Sequence, residues 1–157
     1  TLFPYTTLFR SQILSMVYDK NQGTGPRNEV GQVLYMRGVV GAMLAVEGAR
    51  AAQEKFGKGK PVTPEQARWG YENLNLSQAD LDALGFKGVM RPVATTCSDH
   101  MGSAWARVHT WDGSKFVWAS DWLQADQSLI NPMVKASAAK YAAEKKMTPR
   151  TKEDCQP

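Results

Sequence analysis

At 157 residues the chain is long enough for one domain with its own core, and 43% hydrophobic with 22% charged residues excludes a disordered chain. No apolar run approaches the length of a bilayer span. The net charge of +4 comes with lysines in short groups, such as Lys55, Lys58 and Lys60, and no long basic block interleaved with aromatics; this argues against nucleic acid as a partner.

The first eleven residues, TLFPYTTLFRS from Thr1 to Ser11, carry no Met, no basic-then-apolar leader and no small-residue cleavage site. Read back through standard codons, they resemble a short-read sequencing adapter. The expectation is that residues 1–11 are an artefact, irregular or weakly packed, and that residues 12–157 are the natural sequence, a fragment of a longer one.

Gln12 to Lys20 predicts a short helix with Ile13, Met16 and Val17 on one face, and NQGTGPRN predicts a loop. From about Gly31 to Phe56, Val33, Leu34, Met36, Val40, Met43, Leu44 and Ala51 recur at helical spacing, which predicts a long helix. Its many glycines and alanines suit close packing, expected against a sheet. Thr63-Pro64-Glu65-Gln66 and Ser77 with Asp80 are two helix starts, and Gly85 is the second stop.

GVMRPVATTCSD then reads as strand, and the alternating runs around Asp112-Gly113 read as a hairpin, with Trp105, Arg107, His109 and Trp111 sharing a face. Asn131-Pro132 predicts the start of a last helix with Met133, Val134, Ala138 and Tyr141 inward. The tail from Thr148 is polar and expected at the surface unless Cys155 ties it down.

Chemistry-bearing residues are few. Cys97, His100, His109 and Cys155 supply four zinc-type ligands, but their spacing resembles no compact zinc module. Two cysteines also pair with each other in an oxidising compartment, and unpaired thiols are the third possibility. Cys97, Ser98, Asp99 and His100 include the residue types of a nucleophilic site. Neighbours on a strand point to opposite faces, so no catalysis is expected from them. Gly23-Thr24-Gly25 lacks the strand and the G-K-[ST] of a phosphate loop, and no cofactor is implied. Trp105, Trp111, Trp118 and Trp122 suit either a core or stacking on a ligand.

The series VGQVLYMRGVVGAMLAVEGARAAQEKFG, EQARWGYENLNLSQADLDALGFKG, CSDHMGSAWARVHTWDGSKFVWASDW and AAKYAAEKKMTPR resembles the C-terminal part of substrate-binding proteins of branched-chain amino acid ABC transporters. The resemblance covers essentially residues 12–157. It implies an α/β fold, the C-terminal part of a two-lobed type I periplasmic binding protein, with GVMRPVATT as a hinge crossing. It further implies a periplasmic protein that is not an enzyme: it would hold an amino acid, urea, amide or aromatic acid between its lobes and deliver it to ABC permease subunits. Val30, Gln32 and Tyr35 would line the pocket, with Val30 and Tyr35 as core and Gln32 as a helix-start residue the alternative. A ligand-sensing regulatory module on the same fold is the second functional reading. A fragment without its partner lobe is expected to expose apolar surface and to be poorly soluble.

Overall fold

The computed structural model describes residues 4–148, 150, 151 and 153–156, so Thr1, Leu2 and Phe3 of the opening stretch and Pro149, Lys152 and Pro157 of the tail lie outside the described residues. From Pro4 the chain is a regular helix, α1 (Pro4–Met16), which runs through the boundary expected at Gln12 and replaces the irregular conformation expected before it. Arg10 Nε donates to the Val30 carbonyl at 2.7 Å, joining α1 to the segment that enters the next helix. Short 3-10 turns follow at Tyr18–Lys20 and Arg27–Glu29.

The long helix α2 (Val33–Phe56) ends at Gly57, whose φ of 136° is open to glycine and strained for other residues. It packs on α3 (Pro64–Glu72) and not on a sheet. The contact is glycine on glycine: a Cβ on Gly70 would lie 2.1 Å from the Gly48 carbonyl oxygen, and one on Gly48 would lie 2.2 Å from the Tyr71 ring. Gly38 and Gly41 of the same stripe face open space. Glu47 is buried and pairs with Arg50 at 3.1 Å.

Both short helices begin with a capping box. Thr63 accepts from Gln66 N while Gln66 Oε1 accepts from Thr63 N, and Ser77 and Asp80 do the same at α4 (Gln78–Ala83). Each box satisfies two of the amides that a helix start leaves unpaired. Between α3 and α4 lies a strand that the sequence pattern did not show, β1 (Asn75–Leu76), which pairs antiparallel with β2 (Val93–Ala94). Of the extended run GVMRPVATTCSD, only Val93 and Ala94 form a strand. The core sits here: Leu74, Leu76, Leu81 and Phe86 are buried together, with Val40, Met43, Leu44 and Val89 packed on them.

The remaining strands form one interrupted ribbon. β4 (His109–Trp111) and β5 (Phe116–Trp118) are the hairpin expected at Asp112-Gly113; Asp112 Oδ1 accepts from Ser114 N and Lys115 N, and Gly113 has φ 105°. β3 (Trp105–Ala106) and β6 (Leu123–Gln124) pair farther along. Between the two pairs, residues 107–108 on one side face residues 119–122 on the other, an enlarged bulge.

The last helix α5 (Gln127–Glu144) starts earlier than the Asn131-Pro132 pair indicated. Asp126 is its cap, accepting from Ser128 N, and Pro132 lies inside, at the cost of one backbone hydrogen bond. No α5 residue is buried, so the stripe Met133, Val134, Ala138 and Tyr141 faces outward. The stripe is amphipathic in sequence, but no other described element covers it.

Candidate functional site

An apolar cleft of about 550 Å³ opens beside the core. One wall is α2, whose Val33, Met36, Arg37, Val40, Gly41 and Leu44 recur at i, i+3, i+4, i+7, i+8 and i+11 and so share a face. Gly88, Val89 and Met90 form the floor after α4, and Trp118 and Trp122 form the opposite wall. The bulge places Trp122 there, and it also builds a clasp for Arg107. The Arg107 guanidinium lies 3.8 Å from the Trp118 ring centroid and 5.9 Å from that of Trp122, and its Nε donates to the Ser120 carbonyl at 2.9 Å. A cation held over indole faces is attracted by the ring quadrupole.

The three residues expected to line a pocket between lobes do not line this cleft. Val30 is 1% exposed and packed inside, with its carbonyl taken by Arg10. Gln32 is the exposed N-cap of α2 and its side chain caps nothing. Tyr35 is half-buried, and burial followed by the neighbouring Tyr18 hydroxyl raises its phenol above the ordinary value. Val33, Met36 and Val40 line the cleft instead, because one hundred degrees per residue puts Tyr35 on the far side of the helix. Arg37 and the Gly88–Met90 floor were not anticipated as site residues; the short apolar run GVM was the available signal.

Cys97 and Cys155 form a disulfide, with Cα atoms 5.6 Å apart. Their sulfurs are bonded to each other, so neither is a thiolate for zinc or a nucleophile. His100 and His109 stand on different segments: His100 Nε2 lies 3.5 Å from Glu72 Oε1, whereas His109 meets the Trp118 ring edge-on. Among the described residues no group of three or more His, Cys, Asp or Glu is placed to hold a metal ion.

The disulfide is one of three ties on the tail. Glu72, buried at the end of α3, accepts from both Arg150 Nη1 and Nη2, the second at 3.1 Å. Arg150 Nη2 and Arg68 Nη2 also donate to the Asp154 carbonyl, at 2.8 and 3.3 Å. The Arg150 hydrogen bonds hold the Glu72 carboxyl below the usual carboxylate range, against burial, which pushes it up.

A solved structure described as the crystal structure of an ABC transporter permease from the Pseudomonas fluorescens group is similar to this chain. The identity is 38%, the TM-score is 0.81, and the match covers 90% of this chain and 34% of that one. The chain thus spans about a third of the length of the protein it matches. No family model and no curated protein matches the chain.

The match overturns the functional expectation drawn from the sequence. The similar protein is itself described as a permease, so it does not support a substrate-binding protein, or a sensing module on that fold, with permease subunits as partners. The reason the sequence misled is physical. The order and spacing of helix, capped turns, hairpin and tail specify how a chain folds, and a fold does not fix which component it serves.

Proposed function

We propose that the chain is part of an ABC transporter, in a component of the kind its structural neighbour is described as, a permease. The observation that carries this reading is 38% identity sustained over 90% of the chain at a TM-score of 0.81. No helix among the described residues is long and apolar enough to cross a membrane. The chain therefore supplies a part of the component whose helices do not span the bilayer, and transport is the work of the whole. The reading calls for no covalent chemistry by this part.

The Cys97–Cys155 disulfide favours the oxidising, periplasmic side, since thiols in the cytosol are kept reduced. For the larger body we keep a two-lobed α/β arrangement, supported by the short strand pairs β1–β2 and β3–β6, whose outer edges suit further strands.

The test is recovery of the intact protein from detergent-extracted membranes of its host, followed by identification of what accompanies it. Co-recovery of an ABC ATPase supports the reading, and a protein that comes away free of any such ATPase overturns it. Membrane-impermeant maleimide, applied to intact cells after reduction, should label Cys97 and Cys155. Labelling only after lysis would put the chain on the wrong side.

A further inference from the structure

No described residue from 127 to 156 is buried, so the whole of this segment depends on the ties of its tail for a fixed place on the body. Those ties are the Cys97–Cys155 bridge, the Arg150 pair with Glu72, and the Arg68 hydrogen bond to the Asp154 carbonyl. The bridge is the covalent one, and it joins two segments that hold no core. Among the described residues neither 95–100 nor 150–156 contains a buried side chain, whereas Leu74, Leu76, Leu81 and Phe86 cluster elsewhere.

Both ends of the bridge lie at the surface. Cys97 and Cys155 are half-buried, and their neighbours Thr96, Ser98, Asp154 and Gln156 are exposed. A disulfide exchanges when a thiolate reaches one of its sulfurs, so access in the folded protein decides whether it is inert. Two residues that the tail grips, Arg68 and Glu72, also line a groove of about 690 Å³ between α2 and α3, together with His100. Glu72 is buried there, with Arg150 on it and His100 Nε2 3.5 Å away. The tail therefore lies against the polar end of that groove.

We propose that the Cys97–Cys155 bridge is a redox catch, opened by a partner that carries a reactive dithiol, and that the tail is the strap it fastens. A thiolate of the dithiol attacks one sulfur of the bridge; the S–S bond breaks, and the other sulfur leaves as a thiolate and takes a proton. The second thiol of the dithiol then displaces the mixed disulfide. The chain gains two electrons and two protons, and the dithiol loses them as it closes a disulfide of its own. With the catch open, only the noncovalent ties at Glu72 and Arg68 hold the strap, and each opening of them exposes Glu72 and frees the far end of α5. An oxidising compartment keeps the catch fastened until such a dithiol arrives. Nothing in this depends on the transporter reading.

The test is hydrogen exchange of the purified intact protein, read by mass spectrometry with and without dithiothreitol and in the absence of denaturant. Iodoacetamide should find both cysteines reduced while the near-ultraviolet circular dichroism of the tryptophans is unchanged. Peptides covering 150–156 should then exchange at least about ten-fold faster than in the oxidised protein. Arg150→Gln should leave the tail of the oxidised protein protected and should speed its exchange further after reduction, since it removes a tie that remains. A bridge that resists dithiothreitol until the protein unfolds would overturn the proposal, as would tail exchange that reduction does not change. Loss of the tryptophan signal on reduction would overturn it too, as the mark of a staple for the whole fold, and so would an Arg150→Gln tail that exchanges as fast oxidised as reduced. ATPase co-recovery is unaffected by any of these outcomes, so the two readings fail separately.

Discussion

Between α2 and β2 the chain buries Leu74, Leu76, Leu81 and Phe86 in one cluster, whereas α5, eighteen residues long, buries none. Both segments carry helical apolar stripes in the sequence. The difference lies in what meets them: α2 finds α3 through Gly48 and Gly70 and the α4 region through Val40 and Leu44, while Leu129 and Met133 of α5 are 67% and 71% exposed. A stripe states that a helix has a sticky face, and only a neighbour of the right shape turns that face into stability.

The largest effect that separates the two segments is expected at the tail. Removing the disulfide with Cys155→Ser reopens a loop with a sequence separation of 58 and should cost about 4 kcal/mol on the chain-entropy estimate. Urea denaturation of oxidised and substituted proteins measures it, and a loss below about 1 kcal/mol would mean the tail is held almost entirely by Arg150.

Next comes a matched pair within the comparison. Leu81→Ala, at a fully buried position, should destabilise by about 3 kcal/mol, and Met133→Ala on α5 by less than about 0.5 kcal/mol. Comparable losses at the two sites would break the distinction between a packed and an open segment, and would show that α5 is covered in solution.

Smaller again is the ion pair at the packed end. Arg150→Ala leaves the Glu72 carboxylate buried without its main donor and should cost about 2 kcal/mol at neutral pH. Because the folded carboxyl sits below its unfolded value, this contribution is complete above about pH 4.3 and declines as pH falls through the lowered folded value. In the Arg150→Ala protein that acid-side decline should flatten; an unchanged decline would assign it to other carboxylates.

What the sequence made legible follows the same division. The capping boxes at Thr63 and Ser77 and the Asp112-Gly113 turn form as read, because each is settled by contacts within three residues. The start of α5 was misplaced because Asn131-Pro132 imitates a cap while Asp126 and Ser128 make the real one. The cleft was harder still: its walls come from three separated segments, and Trp118 and Trp122 carry no mark in sequence that distinguishes a pocket wall from a core. Val30, Gln32 and Tyr35 were placed by analogy with a family, and helix phase alone already sets Tyr35 opposite the cleft-lining face of α2.

The bulge in the ribbon has a further property, one of parity. Its two sides differ by two residues, and side chains on a strand alternate with a period of two, so the mismatch leaves facing unchanged. Trp118 and Trp122 consequently both face Arg107, whose Nε donates to the Ser120 backbone carbonyl between them. An excess of one residue would have sent the chain beyond it to the opposite face and separated Trp122 from Trp118. The ribbon therefore keeps one aromatic face across a segment in which its two sides have unequal length.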